Sequence, residues 1–172
     1  MTGEVTILGI DPGSQVTGYG VIRVAGPRIV YVASGCIRTR AGAELAERLR
    51  VIHDGMATLV AEHTPGEICV ERVFMHRNAD SALKLGQARA AAICGTFGLQ
   101  VPVHEYAPRQ VKQTVTGSGS AEKTQVSHMV KRLLGVRGAL ASDAADALAV
   151  AICHAHMRRG RSLGIAAGGR FA

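Results

Sequence analysis

At 172 residues the chain fits one domain, long enough to bury about 70% of the surface its unfolded form would expose. Aromatic residues are scarce and Trp is absent, so the core must be built from Val, Ile, Leu and Ala. A net charge of +7 points to an anionic partner, and no apolar run approaches the roughly 20 residues that a membrane-spanning helix needs.

The first informative stretch is Ile7-Leu8-Gly9-Ile10-Asp11-Pro12-Gly13-Ser14. Ile7 to Ile10 form a short apolar run with β-branched ends, the pattern of a strand buried on both faces. Pro12 cannot donate to a sheet ladder and Gly13 tolerates turn conformations, so the strand stops and leaves the Asp11 carboxylate at its end. Gly18 to Val24 and Ile29 to Ile37 read as two further strands with Gly26-Pro27 as the turn, which makes an antiparallel meander. From Ala43 to His63, Leu45, Leu49, Ile52, Met56 and Leu59 recur at steps of three and four, the pattern of an amphipathic helix. Thr64-Pro65-Gly66 ends it. Ile68 to Val70 then form a second short buried strand, and it too ends in a carboxylate, Glu71. A strand, long helix and strand in that order make a right-handed crossover with parallel strands. Asp11 and Glu71 are therefore expected at the same edge of the sheet.

Arg72 to Ala79 read as a loop, followed by a helix from about Asp80 to Phe97 that Gly98 is placed to cap. Val101 to Tyr106 should be a fifth strand, and Pro108 suits the first turn of a short helix reaching Val115. A Gly/Ser loop, Thr116 to Ser120, precedes a helix from about Ala121 to Leu134 that Gly135 closes. Ser142 is a suitable N-cap for a last helix from Asp143 to about Met157. Residues 1–157 thus read as one domain and residues 158–172 as a disordered basic tail. The charge is uneven: residues 1–108 carry ten Lys/Arg and ten Asp/Glu, and the whole excess lies in residues 109–172. That asymmetry favours nucleic acid as the partner.

The last helix opens with Asp143-Ala144-Ala145-Asp146, whose carboxylates at i and i+3 share one face. With Asp11 and Glu71 they make four carboxylates from three rigid elements. Such a cluster needs a cation or a large upward pKa shift. Oxygen-only ligation with room for water suits Mg²⁺ or Mn²⁺ better than Zn²⁺. Beside a basic surface the matching chemistry is two-metal hydrolysis of a phosphodiester. Other patterns carry less. Gly117-Ser118-Gly119-Ser120 before Lys123-Thr124 lacks the glycine a Walker A loop places before its lysine, since Glu122 stands there. Cys153, His154 and His156 have the wrong helical spacing for a zinc cluster, which leaves open whether His154, two turns along from Asp146, assists the acidic site. Cys36, Cys69, Cys94 and Cys153 show no CxxC spacing, mostly sit inside apolar segments and read as buried, reduced thiols. With no basic-then-apolar pattern at the N-terminus, a cytoplasmic protein is expected.

Four segments, ILGIDPGSxxTGYGVI, VERVFMHRNADSALKLGQARAAA, EYAPRQVKQTVTGSGSAEKTQV and DAADALAVAICHAH, follow one another between about Ile7 and His156. Together they closely resemble the RuvC Holliday junction resolvases of bacteria. The resemblance implies a ribonuclease-H-like α/β fold, with a mixed five-stranded sheet (an antiparallel meander plus parallel strands) flanked by helices. It implies a homodimer whose catalytic and metal-binding acids fall on Asp11, Glu71, Asp143 and Asp146; some family members carry His at the third of these. The implied activity is Mg²⁺-dependent, symmetric nicking of four-way junction DNA in recombination and repair, in partnership with the RuvA-RuvB branch-migration complex. Lys112 and Lys123 match the family's phosphate-binding lysines. Phe74 falls where stacking on an unpaired base would be worth about 1–3 kcal/mol, and Arg77 in the same loop is expected to contact DNA. The Ile-Asp-Pro-Gly opening is also similar to that of actin-like ATPases, but that fold needs a duplicated second domain for which this chain has no room. A junction-binding module without catalysis is hard to square with all four carboxylates.

Overall fold

The structure, a computed structural model, describes residues 3–73 and 78–162. Three strands come first, β1 (Val5–Asp11), β2 (Val16–Ala25) and β3 (Arg28–Arg38), then α1 (Leu45–His63), β4 (Glu67–Glu71), α2 (Ala79–Gly95) and β5 (Val103–Tyr106). Three helices close the chain: α3 (Pro108–Thr116), α4 (Lys123–Leu134) and α5 (Ser142–Ser162). The strands form one mixed sheet in the order β3-β2-β1-β4-β5. β1, β2 and β3 are the antiparallel meander, with the tight turn at Gly26 (φ 55°) and Pro27. β4 lies parallel to β1, and β5 parallel to β4.

Side chains alternate across a strand, and this sheet is covered on both sides. Leu8 and Ile10 of β1, with Ile68 and Val70 of β4, pack against Ile52 and Met56 of α1 and Ala88 and Ala92 of α2. Ile7 and Cys69 point the other way, toward α3, α4 and the length of α5. By the same alternation Gly9 and Asp11 on β1, and Glu67 and Glu71 on β4, belong to the α5 face. The fully buried stretch of α5 is dominated by Ala residues, joined by Leu148, Val150 and Ile152. Its backbone lies almost on the sheet: a Cβ added at Gly9 would stand 2.2 Å from the Ala147 carbonyl oxygen, and one at Gly18 would stand 2.0 Å from that of Asp143. Two glycines thus set how closely the helix approaches, and with it where its first turn sits.

Several ends differ from the sequence expectation. The helix expected from Asp80 to Phe97 runs from Ala79 to Gly95, so Gly98 is not its cap. Thr96 occupies the cap position instead, its hydroxyl donating to the Ile93 carbonyl at 2.7 Å, and Asn78 caps the start by accepting from the Asp80 and Ser81 amides. Ser142 is the first residue of α5 rather than its N-cap, the Ala141 carbonyl taking the first helical bond from the Ala145 amide at 2.9 Å. α4 starts at Lys123, not Ala121, with the Glu122 amide donating to Gln125 Oε1. At the far end α5 continues to Ser162, one turn beyond the expected Met157, and Arg158 in that turn is held by Glu67. Among the described residues no helix is long and apolar enough to cross a membrane.

Candidate active site

Asp11 is the last residue of β1 and pairs with Gly18 of β2. Glu71 is the last residue of β4, one position beyond the in-register pair Ile10–Val70. The parallel crossover therefore brings both carboxylates to one edge of the sheet, on the face that α5 covers. Asp143 and Asp146 stand in the first turn of α5, whose backbone is seated on Gly18. The partial positive charge of a helix N-terminus favours acids there.

The turn after Asp11 is held by residues that sequence periodicity did not mark. The Gly13 amide donates to Thr17 Oγ1 at 3.3 Å, and the buried Thr17 hydroxyl donates back to the Gly13 carbonyl at 2.9 Å. Arg48 of α1 reaches across to give Nε and Nη2 to the Ser14 carbonyl at 2.9 and 2.6 Å, and Thr39 Oγ1 donates to the same oxygen at 3.1 Å. A polar residue on a helix or at a strand end carries no sequence signal for such a brace. Only the fold shows which loop it meets.

The four acids act on one another. Burial, then the negative charges of Glu71, Asp146 and Asp143, push the Asp11 carboxyl from its ordinary 3.8 up to about 8, against an opposing pull from Lys123. Glu71 is raised by burial and by Asp146, while Lys123, Lys112 and a hydrogen bond from Asp11 work the other way. Lys123, mostly exposed, reaches in from the start of α4 and donates Nζ to Asp146 Oδ2 at 2.8 Å. That bond is the main cause holding its ammonium above the usual lysine range. Both lysines singled out in the sequence, Lys112 and Lys123, thus stand at this edge.

An oxygen-only donor set in which burial, then neighbouring negative charge, raises one carboxyl well above its ordinary range fits hard divalent cations. The four carboxylates are spread more widely than a cage for one small ion. Among the described residues, the group of three whose donor atoms all come within 4.8 Å of one another lies elsewhere, at Glu67, His104 and His154. His154 does not assist the acidic edge. It points instead to Glu67 and Tyr106, eight residues along α5 from Asp146. Phe74 and Arg77 lie outside the described residues.

This strand order, with carboxylates delivered by β1, β4 and α5 to one edge, defines the class: a ribonuclease-H-like α/β fold with four acidic residues gathered at one sheet edge. Residues 7–154 match the family model of the crossover junction endodeoxyribonuclease RuvC, and the chain belongs to that family. It is 55% identical over 166 residues to the crossover junction endodeoxyribonuclease RuvC of Chromohalobacter salexigens, covering 95% of this chain and 89% of the relative. To the protein of the same name from Methylococcus capsulatus it is 59% identical over 153 residues, covering 89% and 92%. Among solved structures, T. thermophilus RuvC in complex with Holliday junction substrate superposes with a TM-score of 0.83 at 34% identity, covering 91% of this chain and 96% of that one.

Proposed function

We propose that this protein is a cytoplasmic homodimer that resolves four-way DNA junctions by symmetric phosphodiester hydrolysis, using Mg²⁺ (or Mn²⁺ in its place) with two ions per active site. The observation that carries the reading is the convergence of Asp11, Glu71, Asp143 and Asp146 from three elements onto one sheet edge, where their charges are felt mutually. Those four residues would hold the ions, which when bound make water nucleophilic near neutral pH and stabilise the departing oxygen. The rest falls to the chain's own groups. Asp11 has to give up its proton to become a ligand. Lys123 has to leave Asp146, which frees its ammonium for a DNA phosphate, and Lys112 on α3 offers a second phosphate contact. Phe74 is assigned to stacking on a base beside the cut, and Arg77 to the strand that carries it. Two symmetric cuts need two sites related by a two-fold axis, which is the geometry of a homodimer. By family resemblance, the RuvA-RuvB branch-migration complex would deliver the junction.

The test is incubation of the purified protein with a synthetic four-way junction, with Mg²⁺ and with EDTA, beside a linear duplex of the same sequence. Paired, religatable nicks in the junction alone, and only with Mg²⁺, are expected, with no ATP turnover by the same preparation. An intact junction after incubation with folded protein and Mg²⁺ would overturn the proposal.

A further inference from the structure

The interface between α5 and the sheet has a second polar end. Glu67 opens β4 on the same face as Glu71, four residues earlier, or about 13 Å away along the strand. His154 follows Asp146 by eight residues, about 12 Å along the helix. The two lengths match, so α5 meets carboxylates at its start and Glu67 with His154 about two turns further on. His104 stands two residues before Tyr106 on β5 and shares its face, and its ring stacks on that of His154 with centroids 4.4 Å apart and planes inclined by 30°.

The bonding around His154 is specific. The residue is 1% exposed. Its Nε2 lies 2.6 Å from Glu67 Oε2, and its Nδ1 lies 2.7 Å from the Tyr106 hydroxyl. Arg158, one helical turn on, donates Nε to the other Glu67 oxygen at 2.8 Å. Glu67, His104 and His154 each offer one donor atom within 4.8 Å of the other two. A tetrahedral zinc site places its ligand atoms about 3.3 Å apart, so modest rotations of the half-buried Glu67 and His104 side chains would close the set.

We propose that Glu67, His104 and His154 form a second metal site, selective for Zn²⁺-class transition ions over Mg²⁺, that clamps β4, β5 and α5 together behind the acidic edge. The donor set is two imidazole nitrogens and one carboxylate oxygen, which suits Zn²⁺, Co²⁺ or Ni²⁺ and offers little to Mg²⁺. The surroundings suit ligation too. With Nε2 on the ion, the proton of His154 resides on Nδ1 and is donated to the Tyr106 oxygen, an outer hydrogen bond that fixes the ring and raises its basicity. Arg158 orients the carboxylate through Oε1 and leaves Oε2 for the ion. Ligation requires each imidazole to give up any proton on the bound nitrogen, so both meet the dication as neutral ligands, and water or a small anion completes the tetrahedron.

The site is independent of the catalytic reading, and its test does not read activity. The full chain carrying Asp11→Asn and Asp146→Asn, which disables the acidic edge, is titrated with Co²⁺ and Zn²⁺ in excess Mg²⁺. One equivalent of Co²⁺ per chain should develop the intense visible bands of four-coordinate cobalt, and Zn²⁺ should displace it and raise the melting temperature. His104→Phe should weaken binding by at least about 100-fold. Tyr106→Phe removes only the outer hydrogen bond and should weaken it about 10- to 100-fold. Glu67→Gln keeps a polar partner for His154 and serves if the His104 variant fails to fold; it too should weaken binding by at least about 100-fold. Absence of one-equivalent binding in the parent chain, or full affinity in folded His104→Phe or Glu67→Gln, would overturn the proposal and leave the cluster as an ion-pair network.

Discussion

Asp11→Asn offers the most direct check on the electrostatics of the acidic edge, because it should stabilise the metal-free protein while disabling it. The folded chain holds the Asp11 proton up to about pH 8, whereas the unfolded chain releases it near 3.8. Between those values the folded state binds more protons, so stability falls as pH rises through the window. At pH 7.5 the difference of about 3.7 units sets a ceiling of about 5 kcal/mol, at 1.36 kcal/mol per unit. The gain falls short of that ceiling, since the Asn amide is itself a polar group that must be desolvated at the same place. An observed gain of about 2–3 kcal/mol, or about 5–10 °C in melting temperature, is the expectation. Urea unfolding in EDTA should show a gain that is small at pH 5 and grows toward pH 7.5. Adding Mg²⁺ should stabilise the parent more than the variant, and junction cleavage by the variant should fall by at least about 10²–10³. A variant no more stable than its parent, or one whose gain does not grow with pH, would refute the reasoning.

Other expectations follow from the same geometry. Gly18→Ala places a Cβ against the Asp143 carbonyl; overpacking should cost about 1–3 kcal/mol and lift the first turn of α5, so cleavage per folded molecule should drop, and wild-type cleavage would show that this approach does not position the site. Lys112→Ala and Lys123→Ala should each lower the slope of log K for junction binding against log salt by about 0.7–0.9; unchanged slopes in both would leave them as ordinary surface charges. Cleavage at limiting Mg²⁺ should fall as the pH drops below about 8, because Asp11 regains its proton, and more Mg²⁺ should move the midpoint toward acid; a midpoint unaffected by Mg²⁺ would separate that proton from metal binding. Phe74→Ala should lower cleavage far more than stability or binding, with Phe74→Tyr largely active. A large loss of melting temperature with cleavage per folded molecule preserved would rule out stacking.

Much of this protein is legible in one dimension because its signals are local. An apolar run stopped by Asp11-Pro12 is a strand end wherever it is placed, and the three- and four-residue recurrence from Leu45 to Leu59 is a helix face. Glu71 could be matched with Asp11 before any coordinates, because the handedness of a strand-helix-strand unit leaves one arrangement. Helix ends were less legible. At Thr96, a side-chain hydroxyl bonding to the preceding turn stopped α2 before Gly98 could act. Tertiary structure alone decided the features that depend on residues far apart in the chain. Gly9 and Gly18 carry no mark of the helix that will rest on them, and Arg48 none of the turn it braces. Lys123 gave no sign that it would close on Asp146 rather than face solvent. His154 looked like a neighbour of the acids when counted along its helix, yet eight residues of α5 carry it to the opposite edge, where β4 and β5 bring Glu67 and His104 to it. Periodicity tells which side of an element is buried; which end of the neighbouring element it meets is set by packing, and packing is a property of the whole chain.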